Sequence, residues 1–494
     1  MLARVDVDQE ERRSARPFVQ IARDMTFMIK LDYAEALVFG TCANRDHENT
    51  CSGELMGKKV VVLGLDGFPY TLMKKLTKQG VMPSMAGLVE HGSLVQMDSI
   101  YPTVSSVAWS SFVTGKNPGR FGVFGFTEVS KNFKLQLPTS RNIRAKTIWE
   151  IASAAGKSVI GLGVPLTHPP RPVNGILVSG FLAPRLEGAV SPSSALAKLR
   201  RTGYKLDIDP MRARQSVDLL CEDLIDVFDA RSRTLLDFYE SEPWDLLVCH
   251  VMETDRLGHF MWHHVADGGD GHGEFVVDFF RKIDRLIGEI ASRLDDDTTL
   301  VVMSDHGFCR VSHEVQVNHW LESEGYLKTD LSRGEGAESI APGSKAFAQV
   351  PGRIHILRED SWREGAVSSD EYEQLRDEII SGLKKWTDTS TGKNICRKVM
   401  KKEEVFEGPF LATAPDIVID PTDGYDLKGA FGGKEPFTHG PITGMHTQWD
   451  ALLYISSHEI TDRRPVVSDI GATVLELMDV AVPDDWQGVS VISE

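Results

Sequence analysis

At 494 residues the chain is too long for one ordinary domain, and its 41% hydrophobic, 25% charged and 8% aromatic residues are those of a globular protein. A formal net charge of −17 argues against a surface for long nucleic acid, which needs clustered Lys and Arg, although divalent cations can reverse the potential inside a single phosphate pocket. No apolar run approaches the roughly 18 residues of a membrane span and no signal-type apolar core is visible. The six cysteines (Cys42, Cys51, Cys221, Cys249, Cys309, Cys396) form no CxxC pair, so a cytoplasmic protein with reduced thiols and no membrane partner is expected.

Residues 1–56 lack the strand-and-turn rhythm of the rest and read as an N-terminal extension. KVVVLGL (59–65) is a short, continuous, β-branched run, the pattern of a strand buried on both faces of a parallel sheet, and it ends at Asp66-Gly67. In SIYPTVSSVAWSSFVTGKNPG (99–119), Ser105 or Ser106 caps a predicted helix that runs to about Val113, with Thr114-Gly115 and Lys116-Asn117-Pro118-Gly119 as its stop. Further strands are expected at KSVIGLGV (157–164), WDLLVCHV (244–251) and TTLVVMSD (298–305), with helical patterns such as EFVVDFFRKIDRLIGEIASRL between them. DGGDGHGE (267–274) reads as a mobile loop. This alternation predicts an α/β fold with a doubly wound, mostly parallel sheet flanked by helices. The expected division is a core over 57–320, an inserted cap subdomain over 321–435, which is richer in charge and turns, and the C-terminal part of the core over 436–494.

Reactive groups of an open parallel sheet gather beyond the carboxyl ends of its strands. There stand Asp66, then Asp255 and His259, then Ser304-Asp305-His306-Gly307, with His446 in a Gly-rich loop before an apolar strand and His439 competing in the same loop. Each has a bland reading. Asp66-Gly67 also suits a plain turn, and Asp255 and His259, four apart, also suit a solvated helix face. Ser105 also suits a simple N-cap. As a nucleophile, it would have the free N–H groups and positive dipole end of a helix to favour both its alkoxide and a phosphoryl oxygen.

The ordered set Asp66-Gly67, TVSSVAWSSFVTGKNPG, Thr254-Asp255-Arg256-Leu257-Gly258-His259, Ser304-Asp305-His306-Gly307 and Gly444-Met445-His446 resembles the type I phosphodiesterase/nucleotide pyrophosphatase branch of the alkaline phosphatase superfamily, from about residue 58 to 490. The resemblance implies a hydrolase of small phosphate esters with two divalent metal ions. Asp66, Ser105, Asp305 and His306 would hold one ion, and Asp255, His259 and His446 the other. The same donors make Zn2+ the first choice, with Mn2+ or Fe as alternatives. Counting back from Thr114-Gly115 places the nucleophile at Ser105, where relatives usually carry Thr, and a covalent phosphoserine would follow. Two positions depart from the pattern: Ala108 replaces a phosphate-contacting Asn, and Phe121 replaces a His. A sulfatase is disfavoured because Ser105-Ser106-Val107-Ala108-Trp109 lacks the required Pro and Arg. A phosphomonoesterase, a phosphomutase and a non-catalytic metal-binding protein remain as alternatives. His250, His263, His264 and His272 read as packed or solvated side chains.

Overall fold

Val60 and Val62 belong to one hydrophobic cluster, and Val61, Leu63 and Leu65 to another, so consecutive side chains of the first strand leave the sheet on opposite sides and both sides are covered. The structure, a computed structural model, describes residues 58–267 and 271–493; the N-terminal extension expected over 1–56 lies outside the described residues. In chain order, the central strands and the helices used below are β1 (Lys59–Leu65), β2 (Gly92–Met97), α1 (Ser105–Thr114), β3 (Val159–Leu162), β4 (Gly175–Val178), β5 (Val190–Ser191), α2 (Val217–Ser241), β6 (Leu246–Val251), α3 (Glu253–Asp267), α4 (Gly271–Ala291), β7 (Thr298–Met303), β8 (Gly307–Arg310), α5 (Tyr372–Lys385), β9 (Gly444–Thr447), β10 (Ala451–Ser456) and α6 (Asp469–Leu477).

The sheet order is β2-β10-β7-β1-β6-β3-β4-β5. The five middle strands run parallel, while β10, β2 and β5 join antiparallel at the edges. Helices α2 and α4 cover one face through Leu220, Leu224, Phe279 and Ile283. Helices α1 and α6 cover the other through Trp109, Phe112, Ile470 and Val474. The sheet is therefore doubly wound and mostly parallel, as the alternation of strands and helices predicts.

Two local expectations need correction. Residues 271–274 open α4 rather than forming a loop, and residues 268–270 lie outside the described ones. At α1 the N-cap is Val104, with extended φ −151° and ψ 139°, and Ser105 is the first helical residue with no capping hydrogen bond. Its hydroxyl is turned elsewhere, as shown below.

Between the core segments, strands Ala346–Gln349, Arg353–Ile356, Ile417–Pro421 and Cys396–Lys401 form a four-stranded antiparallel sheet. Helix α5 packs on it around Leu375, Ile379 and Leu383, and this region has its own apolar cluster. Among the described residues no helix is long and apolar enough to cross a membrane.

Candidate active site

Parallel pairing aligns Gly64 of β1 with His250 of β6 and Met303 of β7, so the residues that follow these strands emerge side by side. Gly64 is required by close approach: a Cβ there would lie 2.3 Å from the Trp109 ring. That contact lets α1 lie tight on the sheet and brings Trp109 Nε1 to 2.9 Å from Asp66 Oδ2, to which it donates. His250 Nε2 reaches the same oxygen at 2.6 Å from within β6. The Gly67 N–H donates to Asp305 Oδ1 at 3.0 Å, and this locks the first strand end to the third.

Ser105 Oγ donates to Asp66 Oδ1 at 3.1 Å and lies 3.3 Å from His306 Nε2. Ser106, the competing hydroxyl, is buried behind it without a hydrogen-bond partner for its Oγ. Asp66, Asp305 and His306 form one group able to hold a cation, and Asp255, His306 and His446 form a second, with the ligand atoms of each within 4.8 Å of one another. His306 is common to both. His259 joins the second group, its Nε2 lying 3.3 Å from Asp255 Oδ1 and 3.0 Å from His446 Nε2. All seven predicted residues thus meet at one place. His439 does not: it lines a separate cavity of about 280 Å3 with His263, Arg310 and Glu314.

Three imidazoles present Nδ1 to backbone carbonyl oxygens: His306 to Gly307, His259 to Gly444 and His446 to Thr103, at 3.0, 3.0 and 3.2 Å. A proton held at Nδ1 leaves each Nε2 lone pair facing the cluster, the usual arrangement of a metal-ligating histidine. Two such lone pairs 3.0 Å apart, on His259 and His446, repel unless a proton or a cation lies between them. Asp305 Oδ2 is buried and has no hydrogen-bond partner. Burial, and then the charge of Asp66, raise the Asp305 carboxyl well above the ordinary range. Burial, followed by repulsion from His446, pushes His306 down to about 3. Burial opposes ionisation of Asp255 as well, but His259 and His446 together hold it well below the ordinary range, and Asp255 in turn raises His259 against its own burial. Six acceptor-type groups crowd together, and among the described residues no Lys or Arg pairs with Asp66 or Asp305, while Asp255 meets Arg256 on one oxygen only; the six fit divalent cations.

Three features escape a reading of the chain alone. His250 is a partner of Asp66 rather than a merely packed histidine. Phe308, opposite His446 in the β8–β9 pair, packs T-shaped against His259 and His446, with ring centres 5.0 and 5.1 Å apart, and restricts both. Phe121 has a plain role: it fills an apolar cluster with Val104, Val107 and Leu166 behind the start of α1.

A doubly wound sheet whose strand ends converge on a helix-terminal serine defines the alkaline phosphatase-like class of enzymes. Within that class, the profile of the type I phosphodiesterase/nucleotide pyrophosphatase family matches residues 60–447, and the chain belongs to this family of phosphoester hydrolases. Similar solved structures include phosphonoacetate hydrolase from Sinorhizobium meliloti 1021 (17% identity, TM-score 0.57, 86% of this chain and 96% of that one) and the alkaline phosphatase PafA (14%, 0.57, 89% and 100%). Murine ectonucleotide pyrophosphatase/phosphodiesterase 5 is also similar (15%, 0.50, 88% and 100%). Among curated relatives, GPI ethanolamine phosphate transferase 2 of Kluyveromyces lactis is 33% identical over 89 residues, 18% of this chain and 10% of that protein. GPI ethanolamine phosphate transferase 3 of Schizosaccharomyces pombe is 28% identical over 117 residues, 22% of this chain and 12% of that protein. The chain thus spans about a tenth of the length of the curated relatives it matches.

Proposed function

We propose that the protein is a metal-dependent phosphodiesterase that works through a covalent intermediate on Ser105. The observation that carries this reading is the position of Ser105 Oγ, on the first residue of α1, 3.1 Å from Asp66 and 3.3 Å from His306. Asp66, Asp305 and His306 would hold one divalent cation and Asp255, His259 and His446 the other, with Ser105 joining the first set; three imidazoles and three carboxylates favour zinc. Two such ions, when bound, stabilise the attacking and leaving oxygens of an in-line displacement.

The remaining work falls to the chain. Ser105 Oγ attacks phosphorus, its proton passes to the acceptor it faces, and the ester oxygen departs with its bonding pair. The free N–H groups opening α1 face the phosphoryl oxygens, where the positive end of the helix favours negative charge. His250 and Trp109 hold Asp66 Oδ2, leaving Oδ1 directed at the nucleophile. Water then cleaves the phosphorus–Oγ bond and restores the hydroxyl. The residue three after Ser105 is Ala108, buried in the apolar core and without a polar group to offer phosphate, so a nucleotide is not demanded, even though a relative such as murine ectonucleotide pyrophosphatase/phosphodiesterase 5 has been solved with AMP.

The test compares kcat/KM for bis-p-nitrophenyl phosphate with that for p-nitrophenyl phosphate on zinc-reconstituted protein. A ratio well above one supports the diesterase. A ratio well below one would make the enzyme a phosphomonoesterase, and isomerisation without release of phosphate would make it a mutase.

A further inference from the structure

The two oxygens of Asp255 face different partners. Oδ1 looks into the cluster, 3.2 Å from His446 Nε2 and 3.3 Å from His259 Nε2. Oδ2 lies 3.4 Å from Arg256 Nη1, on the next residue of the chain. A guanidinium that reaches back over one residue loses rotamer freedom, so something else must hold it there. Asp207 does so with a two-pronged contact, accepting from Arg256 Nε at 3.2 Å and from Nη2 at 2.6 Å. Planar, bidentate pairing of this kind orients a guanidinium far better than a single ion pair. Phe181 lies beneath the guanidinium, 5.1 Å from its carbon, and is itself braced edge-on by Phe126. The Arg256 side chain is 21% exposed and that of Asp207 18%, so water weakens their pairing only in part. The first turn of α3 is also pinned from below, where Glu253 pairs with Arg231 of α2 and both are essentially out of water.

We infer that Arg256, anchored on Asp207, is a positioning residue that restricts Asp255 to ligation through Oδ1 alone. The inference rests on the two-cation reading above. A free carboxylate beside a dication can bind through one oxygen or two. Here the second oxygen already faces a permanently charged guanidinium 3.4 Å away, which offsets part of its negative charge and favours this rotamer. A one-oxygen ligand beside His259 and His446 would leave a cation held by these three residues open to a substrate oxygen, the feature that separates catalytic from closed structural sites. Asp207 lies 48 residues before Asp255, so the turn-rich segment that carries it becomes part of the outer half of the centre.

The experiment uses the full chain, stripped by a chelator and reloaded with Co2+, and measures ions bound per chain, the visible ligand-field spectrum, and zinc affinity against a chromophoric competitor. The parent is expected to take up two ions. Arg256→Gln should keep one at parental affinity, weaken the other by about ten- to a hundredfold, and lower the visible absorption as the coordination number rises. Asp207→Asn should move in the same direction by less, and Arg256→Lys should recover part of the loss, having charge without the fork. Two ions at parental affinity with an unchanged spectrum in Arg256→Gln would overturn the inference, as would an isolated rise in KM, which would instead make Arg256 a substrate contact. Equal weakening of both ions together with a lowered Tm would reduce Arg256 to a scaffold residue and likewise overturn it. A parent that binds no Co2+ would defeat the metal reading itself, a result visible before any variant is made.

Discussion

Two regions of the molecule bury carboxylates, and they treat them differently. In the region beside α5, Asp416 accepts from Lys402 Nζ at 2.9 Å, from the Tyr372 hydroxyl at 2.7 Å and from the Ile356 N–H at 2.7 Å. Burial opposes its ionisation, yet the Lys402 charge keeps its carboxyl below the ordinary range. At the strand ends, Asp305 has the backbone N–H of Gly67 on one oxygen, no hydrogen-bond partner on the other, where His306 Nε2 lies 3.4 Å away, and the charge of Asp66 close by. The first carboxylate is neutralised by the protein. The second is left in need of a positive charge, and that need separates a structural network from a centre built to receive cations.

The largest effect is expected from Ser105→Ala, which should lower kcat on the order of 10⁴-fold, about 5 kcal/mol of transition-state stabilisation, while leaving metal content and Tm unchanged. Asp416→Ala should leave Lys402 buried without its partner and lower unfolding stability by about 3 to 5 kcal/mol in denaturant titration. Asp305→Asn should do the reverse in metal-free protein: the amide still accepts from Gly67, a like charge beside Asp66 is gone, and stability falls no lower than that of the parent. Zinc at a hundredfold over its Kd should stabilise the parent by about 2.7 kcal/mol for each ion bound, read as a higher Tm, and the Asp305→Asn variant less.

The smallest effect concerns His355, which burial pushes down to about 3 and which stacks on Phe347 at 5.2 Å. An unfolded histidine titrates near 6.5, so between roughly pH 6.5 and 3 the unfolded chain binds the extra proton. The stability this group contributes is therefore present above that window and is lost as pH falls through it. In His355→Phe the slope of unfolding free energy against pH should drop by about 1.4 kcal/mol per unit in that range, measured as denaturant midpoints from pH 6 to 4.

The core strands are legible in the sequence because a strand covered on both faces must be apolar at every position, as in Val60 to Leu63. The strand-end acids and histidines are legible because nothing in packing calls for them there. His250 is not: a lone imidazole within an apolar strand reads as core, and its partner, Asp66, is 184 residues away. The sequence signal it leaves is weak, a buried polar side chain that must find a hydrogen bond. The Asp207–Arg256 pair is hidden in the same way, joining a turn-rich segment to a helix. The opening of α4 was obscured because Gly271 and Gly273 are poor helix formers whose placement is decided by the packing of Val276 and Phe279 further along.

The central claim is that Ser105 carries the phosphoryl group. The most direct measurement is an acid quench of zinc-reconstituted protein during turnover of bis-p-nitrophenyl phosphate, followed by peptide mass spectrometry. A p-nitrophenyl phosphoryl group is expected on the peptide that contains Ser105, appearing with a burst of one p-nitrophenolate per chain. Steady turnover with Ser105 unmodified, and undiminished in Ser105→Ala, would contradict it.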